Sequence, residues 1–257
     1  MFTSLLVIFG VSILASLLTF FSGFGLGTLL MPVMALYFPL PIAIAATAVV
    51  HFVNNIFKSI LLFKMIHFGV FLKFAFPALV GTLSGVWLLT GIKPLLFYNV
   101  SLGGNLHPVF LNEFLIGVII LLICLLDWIP ENKLRFGKLM IIPGGFLTGF
   151  FGGFSGMQGA IRSAFLSQID LTKEEFVATS AAISILIDSC RIIGYMIVGS
   201  LIYAVNAPLP VVIGVFGALS GALLGKKLLK KTSIHSIKLI TGICLIVFAA
   251  FLFLGII

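Results

Sequence analysis

Long uninterrupted runs of apolar residues are the feature that most limits what this chain can fold into. Several runs reach the roughly 18 to 20 residues that an α-helix needs to cross the hydrocarbon core of a bilayer. Of the 257 residues, 61% are hydrophobic and only 9% are charged. A soluble domain must also present a polar surface, for which this composition leaves too little. The pattern therefore predicts an all-α polytopic membrane protein.

Ten apolar segments follow one another along the chain. They cover residues 2–21, 28–38, 42–63, 68–90, 113–129, 139–151, 157–167, 174–202, 208–225 and 236–256. Two of them, 28–38 and 157–167, are too short to span a bilayer, and each follows a glycine-rich break. The first segment lacks a basic start and a cleavage site, so we expect a retained helix rather than a signal peptide. Residues 91–112 are predicted to be an irregular loop.

The two halves of the chain carry similar features in the same order. FSGFGLG at 21–27 corresponds to FSGMQGA at 154–160, and a threonine, Thr47 or Thr179, follows each serine after 25 or 24 residues. This order indicates an internal duplication, which in membrane proteins is typical of transporters. We divide the chain at the polar loop ENKLRFGK into a first transmembrane repeat, 1–130, and a second, 131–257.

The basic residues favour one membrane topology over another. If each glycine-broken segment is re-entrant, one side of the membrane holds Lys64, Lys73, Lys133, Arg135, Lys138, Lys173, Lys226, Lys227, Lys230, Lys231 and Lys238, and the other side holds Lys93. Basic residues concentrate on the cytoplasmic side, so this strong asymmetry favours re-entrant segments and inverted repeats. If each broken segment crosses once, the charges divide almost evenly and the repeats are parallel.

The glycine-rich breaks predict a shared site near the middle of the membrane. Irregular backbone is tolerated at that depth only where it is buried in protein or lines a wet cavity. Glycine permits the turn, and the free N–H groups of the helix that follows attract anions. We expect the breaks to place these residues at a substrate site: Ser22, Gly23, Gly25, Gly27, Ser155, Gly156 and Gln158. The alternative is close packing of helices through small residues.

Once the loops are assigned, four charged residues remain at membrane depth, where charge is costly and usually functional. They are Lys58, Arg162, Asp188 and Arg191. Helical spacing puts His51, Asn54, Asn55 and Lys58 on one face of a helix in the first half. The corresponding face in the second half carries Ser180, Ser184, Asp188, Arg191 and Tyr195.

Three cations against one carboxylate suit the binding of an anion, and arginine offers a planar fork for oxyanions. We expect the substrate to be bound by His51, Asn54, Asn55, Lys58, Arg162 and Arg191, with Asp188 in a coupling role. Alternatives stay open for five of these residues. Lys58 could extend to the interface, and Arg162 could reach water. Asp188 and Arg191 could form a structural ion pair, and His51 could carry a proton or be an ordinary interior histidine.

Other kinds of chemistry find little support in the sequence. Cys124, Cys190 and Cys244 lie inside apolar runs without ligand spacing, so we expect reduced packing residues and neither a metal nor a cofactor. The net charge of +8 comes mostly from lysines in loops, which gives no reason to expect nucleic acid as a partner. No nucleotide-binding loop is present, so we expect the energy to come from a gradient or from partner subunits.

Four stretches resemble the sulfite exporter TauE/SafE family of membrane permeases. They are SGFGLGTLLMP, PIAIAATAVVHFVNNIFK, GGFSGMQGAIRSAFL and LTKEEFVATSAAISILIDSCR. The resemblance covers nearly the whole chain and is most specific at the two glycine breaks. The family often has a longer glycine run at the first break, where this chain has Gly25, Gly27 and Thr28, and the polar Gln158 and Arg162 stand in the second.

The resemblance implies a multi-pass permease of the bacterial inner membrane that is not an enzyme. Its expected substrate is a small oxyanion, sulfite or an organosulfonate, moved by an ion gradient, with membrane lipid around the protein. Two other functions stay open: an intramembrane enzyme acting on a phosphorylated lipid, with Asp188 or His51 as the base, and a passive anion channel. The direction of transport, the coupling ion and assembly as a homo-oligomer also stay open.

Overall fold

The computed structural model describes residues 2–22, 25–92, 95–128, 140–199, 208–228 and 234–257. These residues form ten α-helices, a 3-10 turn at Phe63–Met65 and one β-hairpin. The helices are α1 (Phe2–Ser22), α2 (Leu26–Ala35), α3 (Leu40–Leu61), α4 (Phe68–Gly91), α5 (Leu111–Trp128), α6 (Ile141–Ser155), α7 (Gly159–Leu166), α8 (Lys173–Ile197), α9 (Pro208–Leu228) and α10 (Ile234–Phe253). Each predicted apolar segment coincides with one helix.

Within the part of the chain that the structure describes, five helices are long and apolar enough to cross a membrane. These spans are Phe2–Phe20, Leu40–Leu61, Phe68–Gly91, Lys173–Ile197 and Pro208–Gly225. Shorter apolar helices lie at Leu26–Ala35, Leu111–Leu125, Ile141–Ser155 and Thr241–Phe253. The prediction of an all-α polytopic membrane protein is confirmed. The inversion of the repeats and their boundary near residue 130 stay predictions.

The segment between α4 and α5 is not the irregular loop that we expected. Strands β1 (Leu96–Leu102) and β2 (Asn105–Phe110) pair in antiparallel register, and Gly103 and Gly104 connect them. Both glycines have positive φ, of 57° and 85°, as a two-residue type I′ hairpin turn requires. The Tyr98 hydroxyl donates to the carbonyl oxygen of Phe253 over 2.8 Å, which fixes the hairpin to the end of α10.

The helices pack across the boundary between the predicted repeats. Helices α1, α2, α3 and α9 form what we call the first bundle, and α4, α6, α7 and α8 form the second bundle. The two bundles meet chiefly where α3 packs against α8, while α5 and α10 pair with each other beside them. When each helix is replaced by its predicted counterpart in the other repeat, the helices of the first bundle become those of the second bundle. A duplicated unit would produce this packing.

Glycines bring helices into backbone contact within each bundle. In the second bundle, a Cβ atom added to Gly149 on α6 would overlap the carbonyl oxygen of Ala78 on α4. In the first bundle, a Cβ atom on Gly217 of α9 would lie 2.7 Å from the carbonyl oxygen of Phe9 on α1. These contacts leave no room for a larger side chain, so each bundle is locked internally. The α3–α8 boundary, by contrast, carries a polar contact between His51 and Asp188.

Candidate functional site

The two interruptions of the helices lie against each other. Helix α1 ends at Ser22 and α2 begins at Leu26, while α6 ends at Ser155 and α7 begins at Gly159. Gly156 ends α6 with a φ of 77°, a left-handed conformation that favours glycine. A Cβ atom on Gly27 would lie 3.2 Å from the carbonyl oxygen of Gly156, and one on Gly25 would lie 3.8 Å from Cα of Gly159. The close approach that we expected is therefore present.

Asp188 is the centre of a buried polar network between α3 and α8. Its Oδ2 atom lies 2.6 Å from Nδ1 of His51, across the boundary between the bundles. Its Oδ1 atom accepts hydrogen bonds from Nε of Arg191 over 2.9 Å and from the amide nitrogen of Gln158 over 2.8 Å. All four residues are at most 2% exposed. Hydrogen bonds and opposite charge therefore stabilise the carboxylate from three sides.

Arg191 is engaged inside this network. Besides the Nε contact, its Nη2 atom lies 2.8 Å from Oδ1 of Asp188, so the guanidinium and the carboxylate form an ion pair. Its Nη1 atom donates to the carbonyl oxygen of Gly152 over 3.4 Å, at the end of α6. This arrangement matches the structural ion pair that the sequence left open. Arg191 lies behind the cavity described below.

Gln158 connects the network to Arg162. The Gln158 amide donates to Asp188, and its amide oxygen accepts from Nη1 of Arg162 over 3.4 Å. The same Nη1 atom donates to the hydroxyl of Ser184 over 2.6 Å. A carboxylate accepts only and a guanidinium donates only, so these two neighbours fix which end of the amide faces each of them. Gln158 thus holds the position of Arg162 instead of facing the cavity.

A small cavity lies at the boundary between the bundles. The described residues that line it are Thr19, Phe20, Gly25, Leu26, His51, Asn55, Lys58, Arg162, Val177, Ser180 and Ala181. Its free volume is about 20 Å³, roughly the space of one water molecule. Two cations, Lys58 and Arg162, line the cavity from opposite bundles, and no lining residue among those described carries a carboxylate. The electrostatics of the cavity therefore favour an anion.

Lys58 is a buried cation without an anionic partner among the described residues. Only 5% of the residue is exposed, and its Nζ atom lies 5.1 Å from the ring centre of Phe20. This contact is a cation–π interaction, which compensates only part of the cost of removing an ammonium group from water. Lys58 therefore does not extend to the membrane interface, which was the alternative that the sequence left open.

The predicted site residues fall into three groups. Gly25, His51, Asn55, Lys58 and Arg162 line the cavity. Gln158, Asp188 and Arg191 form the network behind it, and Gly27 and Gly156 form the contact between the breaks. The structure places the remaining described ones away from the cavity.

Those remaining predicted residues have other neighbours. Asn54 accepts a hydrogen bond from Ser16 of α1 over 2.9 Å, and the hydroxyl of Ser155 donates to the carbonyl oxygen of Phe151 over 2.9 Å. Gly23 and the side chain of Ser22 lie outside the described residues. Sequence reasoning assigned no substrate role to Thr19, Phe20 or Ser180, which also line the cavity. The role of Ser180 in the lining could have been predicted, because Ser180 lies on the same helical face as Ser184 and Asp188.

The described residues contain no group of three or more His, Cys, Asp or Glu side chains that could hold a metal ion.

The model of the family described as "Sulfite exporter TauE/SafE" matches residues 8–252 of the chain. Searches of curated proteins and of solved structures found no match.

Proposed function

The chain belongs to the sulfite exporter TauE/SafE family of membrane permeases, and from this premise we propose that it carries a small oxyanion through the cavity between Lys58 and Arg162. The family is a transporter family, and its members are multi-pass proteins, in bacteria usually of the inner membrane. We propose sulfite or an organosulfonate as the substrate. The observation that carries the proposal is a buried cavity with two cations and no lining carboxylate among the described residues.

Charge balance supports an anion as the occupant. An isolated ammonium group in a low-dielectric interior is unstable, and the described residues that line the cavity supply no counter-ion for Lys58. Gly25 and Leu26, at the N-terminus of α2, also line the cavity, and the positive end of a helix dipole adds to its attraction for negative charge. A bound oxyanion would neutralise these groups together.

The size of the cavity supports a movement of the bundles during transport. A cavity of about 20 Å³ holds a water molecule but not an oxyanion, in which three or four oxygen atoms surround a central atom. The walls of the cavity must therefore separate for the substrate to enter. Each bundle is locked by glycine contacts, whereas the cavity lies on the boundary between them. We therefore assign the transport movement to a displacement of one bundle against the other at α3 and α8.

The pair of His51 and Asp188 is our candidate for coupling to a proton gradient. His51 lines the cavity, and its Nδ1 atom contacts a carboxylate that Arg191 and Gln158 also hold. A proton on the other ring nitrogen would add positive charge beside Lys58 and Arg162 and so favour anion binding. His51→Gln keeps an amide donor for Asp188 but cannot titrate. This variant should lose the stimulation of anion flux by a pH gradient but should still exchange anions across the membrane when no gradient is applied.

Flux into proteoliposomes tests the proposed function. Vesicles containing the purified protein would be offered sulfite, sulfoacetate, thiosulfate, sulfate and a carboxylate control, with and without a pH gradient. We expect saturable uptake of at least one sulfur oxyanion, faster with the gradient. Conductance without saturation or gradient coupling would identify a passive channel, and no flux of any of these anions would overturn the proposal.

A further inference from the structure

We infer that the hydroxyl of Ser180 is a direct ligand of the transported anion and gives the site its preference for oxyanions over halides. The inference rests on the proposed function, because it assigns a role within the same cavity. It adds a residue from the α8 wall to a site whose charged groups are Lys58 and Arg162.

Ser180 is buried, faces the cavity and lacks a hydrogen-bond partner. The residue is 4% exposed and lines the cavity beside Ala181. Its Oγ atom has no hydrogen-bond partner among the described residues. A buried hydroxyl without a partner is uncommon, because the lost hydrogen bonds to water are not replaced. A ligand in the cavity would satisfy this group.

The neighbouring serine on α8 behaves differently. Ser184, one helical turn further along, donates to the carbonyl oxygen of Ser180 over 3.0 Å and accepts from Arg162 over 2.6 Å. Its hydroxyl proton is therefore already donated within α8, and its oxygen atom holds the guanidinium of Arg162. Ser180 is left as the hydroxyl on the same face of α8 that is free to bind something else.

Ser180 and Lys58 lie on opposite walls of the cavity. Lys58 belongs to α3 in the first bundle and Ser180 to α8 in the second. Among the described residues, the Ser180 hydroxyl has no hydrogen-bond partner, and the Lys58 ammonium group, which lies over the Phe20 ring, has no anionic partner. One oxyanion has several acceptor oxygens and can accept from both walls and from Arg162 at once. The anion would then connect the two bundles through its own hydrogen bonds.

The chemistry of a hydroxyl explains why it would select among anions. Lys58 supplies charge at the end of a flexible chain, which attracts oxyanions and halides alike. A hydroxyl on a short side chain donates in a restricted direction, so it rewards an oxygen lone pair at a fixed position. Loss of a hydrogen bond to a charged ligand corresponds to about a tenfold to hundredfold loss of affinity.

The experiment compares Ser180→Ala with Ser59→Ala. Ser59 also carries a buried hydroxyl without a partner among the described residues, but it lies on α3 outside the cavity lining. Sulfite affinity would be measured by ligand-dependent thermal stabilisation of the purified protein and by KM in proteoliposomes, with chloride as competitor. Neither substitution removes an internal side-chain hydrogen bond, so both variants should fold.

We expect Ser180→Ala to raise the KM for sulfite at least tenfold and to leave the inhibition constant of chloride unchanged. Ser180→Thr, which keeps a hydroxyl, should recover part of the affinity, and Ser59→Ala should match the wild type. Equal sulfite affinity in Ser180→Ala and the wild type would overturn the inference alone. If the wild-type protein responds to none of the sulfur oxyanions offered, the proposed function fails and the inference fails with it.

Discussion

His51 on α3 and Asp188 on α8 meet across the boundary between the two bundles, with 2.6 Å between Nδ1 and Oδ2. The two residues are 137 positions apart and come from different predicted repeats. Their contact lies beside the cavity that Lys58 and Arg162 line. A movement of the bundles would therefore change this pair and the cavity together, which is the basis for coupling the two.

Removing Arg191 should destabilise the protein rather than only weaken substrate binding. Arg191→Met leaves the buried Asp188 without its guanidinium, and breaking a buried ion pair typically costs about 3 to 5 kcal/mol. Arg191→Lys loses the Nε and Nη2 contacts to the same oxygen and should also lower stability. The measurement is unfolding in detergent without substrate.

The matched control for this prediction is the double variant Arg191→Met with Asp188→Asn. Removing both charges should restore much of the lost stability, because neither partner is left as an uncompensated ion. If Arg191→Met unfolds at the wild-type temperature, the ion pair is not structural. Arg191 would then return to the list of substrate ligands that the sequence suggested.

Replacing Lys58 should have the opposite effect on stability. Lys58→Met removes a buried cation that has no anionic partner in the described parts of the chain, so the substrate-free protein should be at least as stable as the wild type. Sulfite-dependent stabilisation should disappear in the same variant. Lys64→Met, at an exposed position in the turn after α3, should change neither property. Loss of stability without loss of binding would assign Lys58 to packing.

The glycine contact between α4 and α6 should not tolerate a methyl group. In Gly149→Ala the new Cβ would overlap the carbonyl oxygen of Ala78, and forcing the helices apart should cost about 3 kcal/mol. Gly10→Ala on α1 is the control, because its Cβ would meet nothing within 4 Å. Thermal unfolding in detergent measures both. A wild-type melting temperature for Gly149→Ala would show that the second bundle is not locked.

The inverted arrangement of the repeats can be tested by reporter fusions. Fusions after Lys64, Lys138 and Lys231 should report the cytoplasm, and a fusion near Asn105, at the start of β2, should report the opposite side. The reason is the concentration of basic residues in the loops on one side. Fusions at Lys138 and Lys231 that report opposite sides would instead support parallel repeats.

The helices were predictable because their positions depend on local patterns in the sequence. Apolar runs and glycine-rich breaks locate each of the ten helices to within a few residues, and helical spacing puts His51, Asn55 and Lys58 on one face. The hairpin was missed although the chain shows its turn. Gly103 and Gly104 between two short strand-like segments are a recognisable type I′ pattern.

The division of labour among the buried cations was not predictable, because it depends on contacts between distant helices. Arg191 follows Asp188 by three residues, so the sequence allowed their ion pair, but it did not tell whether that pair forms or where Arg162 lies. The structure gives Asp188 to Arg191, while Gln158 and Ser184 turn Arg162 toward the cavity. The sequence already placed Ser180 on the polar face of α8, but only the three-dimensional arrangement reveals that its hydroxyl has no partner among the described residues.

The most direct test of the central claim is to locate the bound anion. Selenite has the shape and charge of sulfite, and its selenium atom can be identified by anomalous scattering in crystals grown with the anion. We predict one anomalous peak at the α3–α8 boundary, within hydrogen-bonding reach of Lys58 Nζ, the Arg162 guanidinium and Ser180 Oγ, and no such peak in Lys58→Met crystals. A peak elsewhere in a protein that transports selenite would contradict the account.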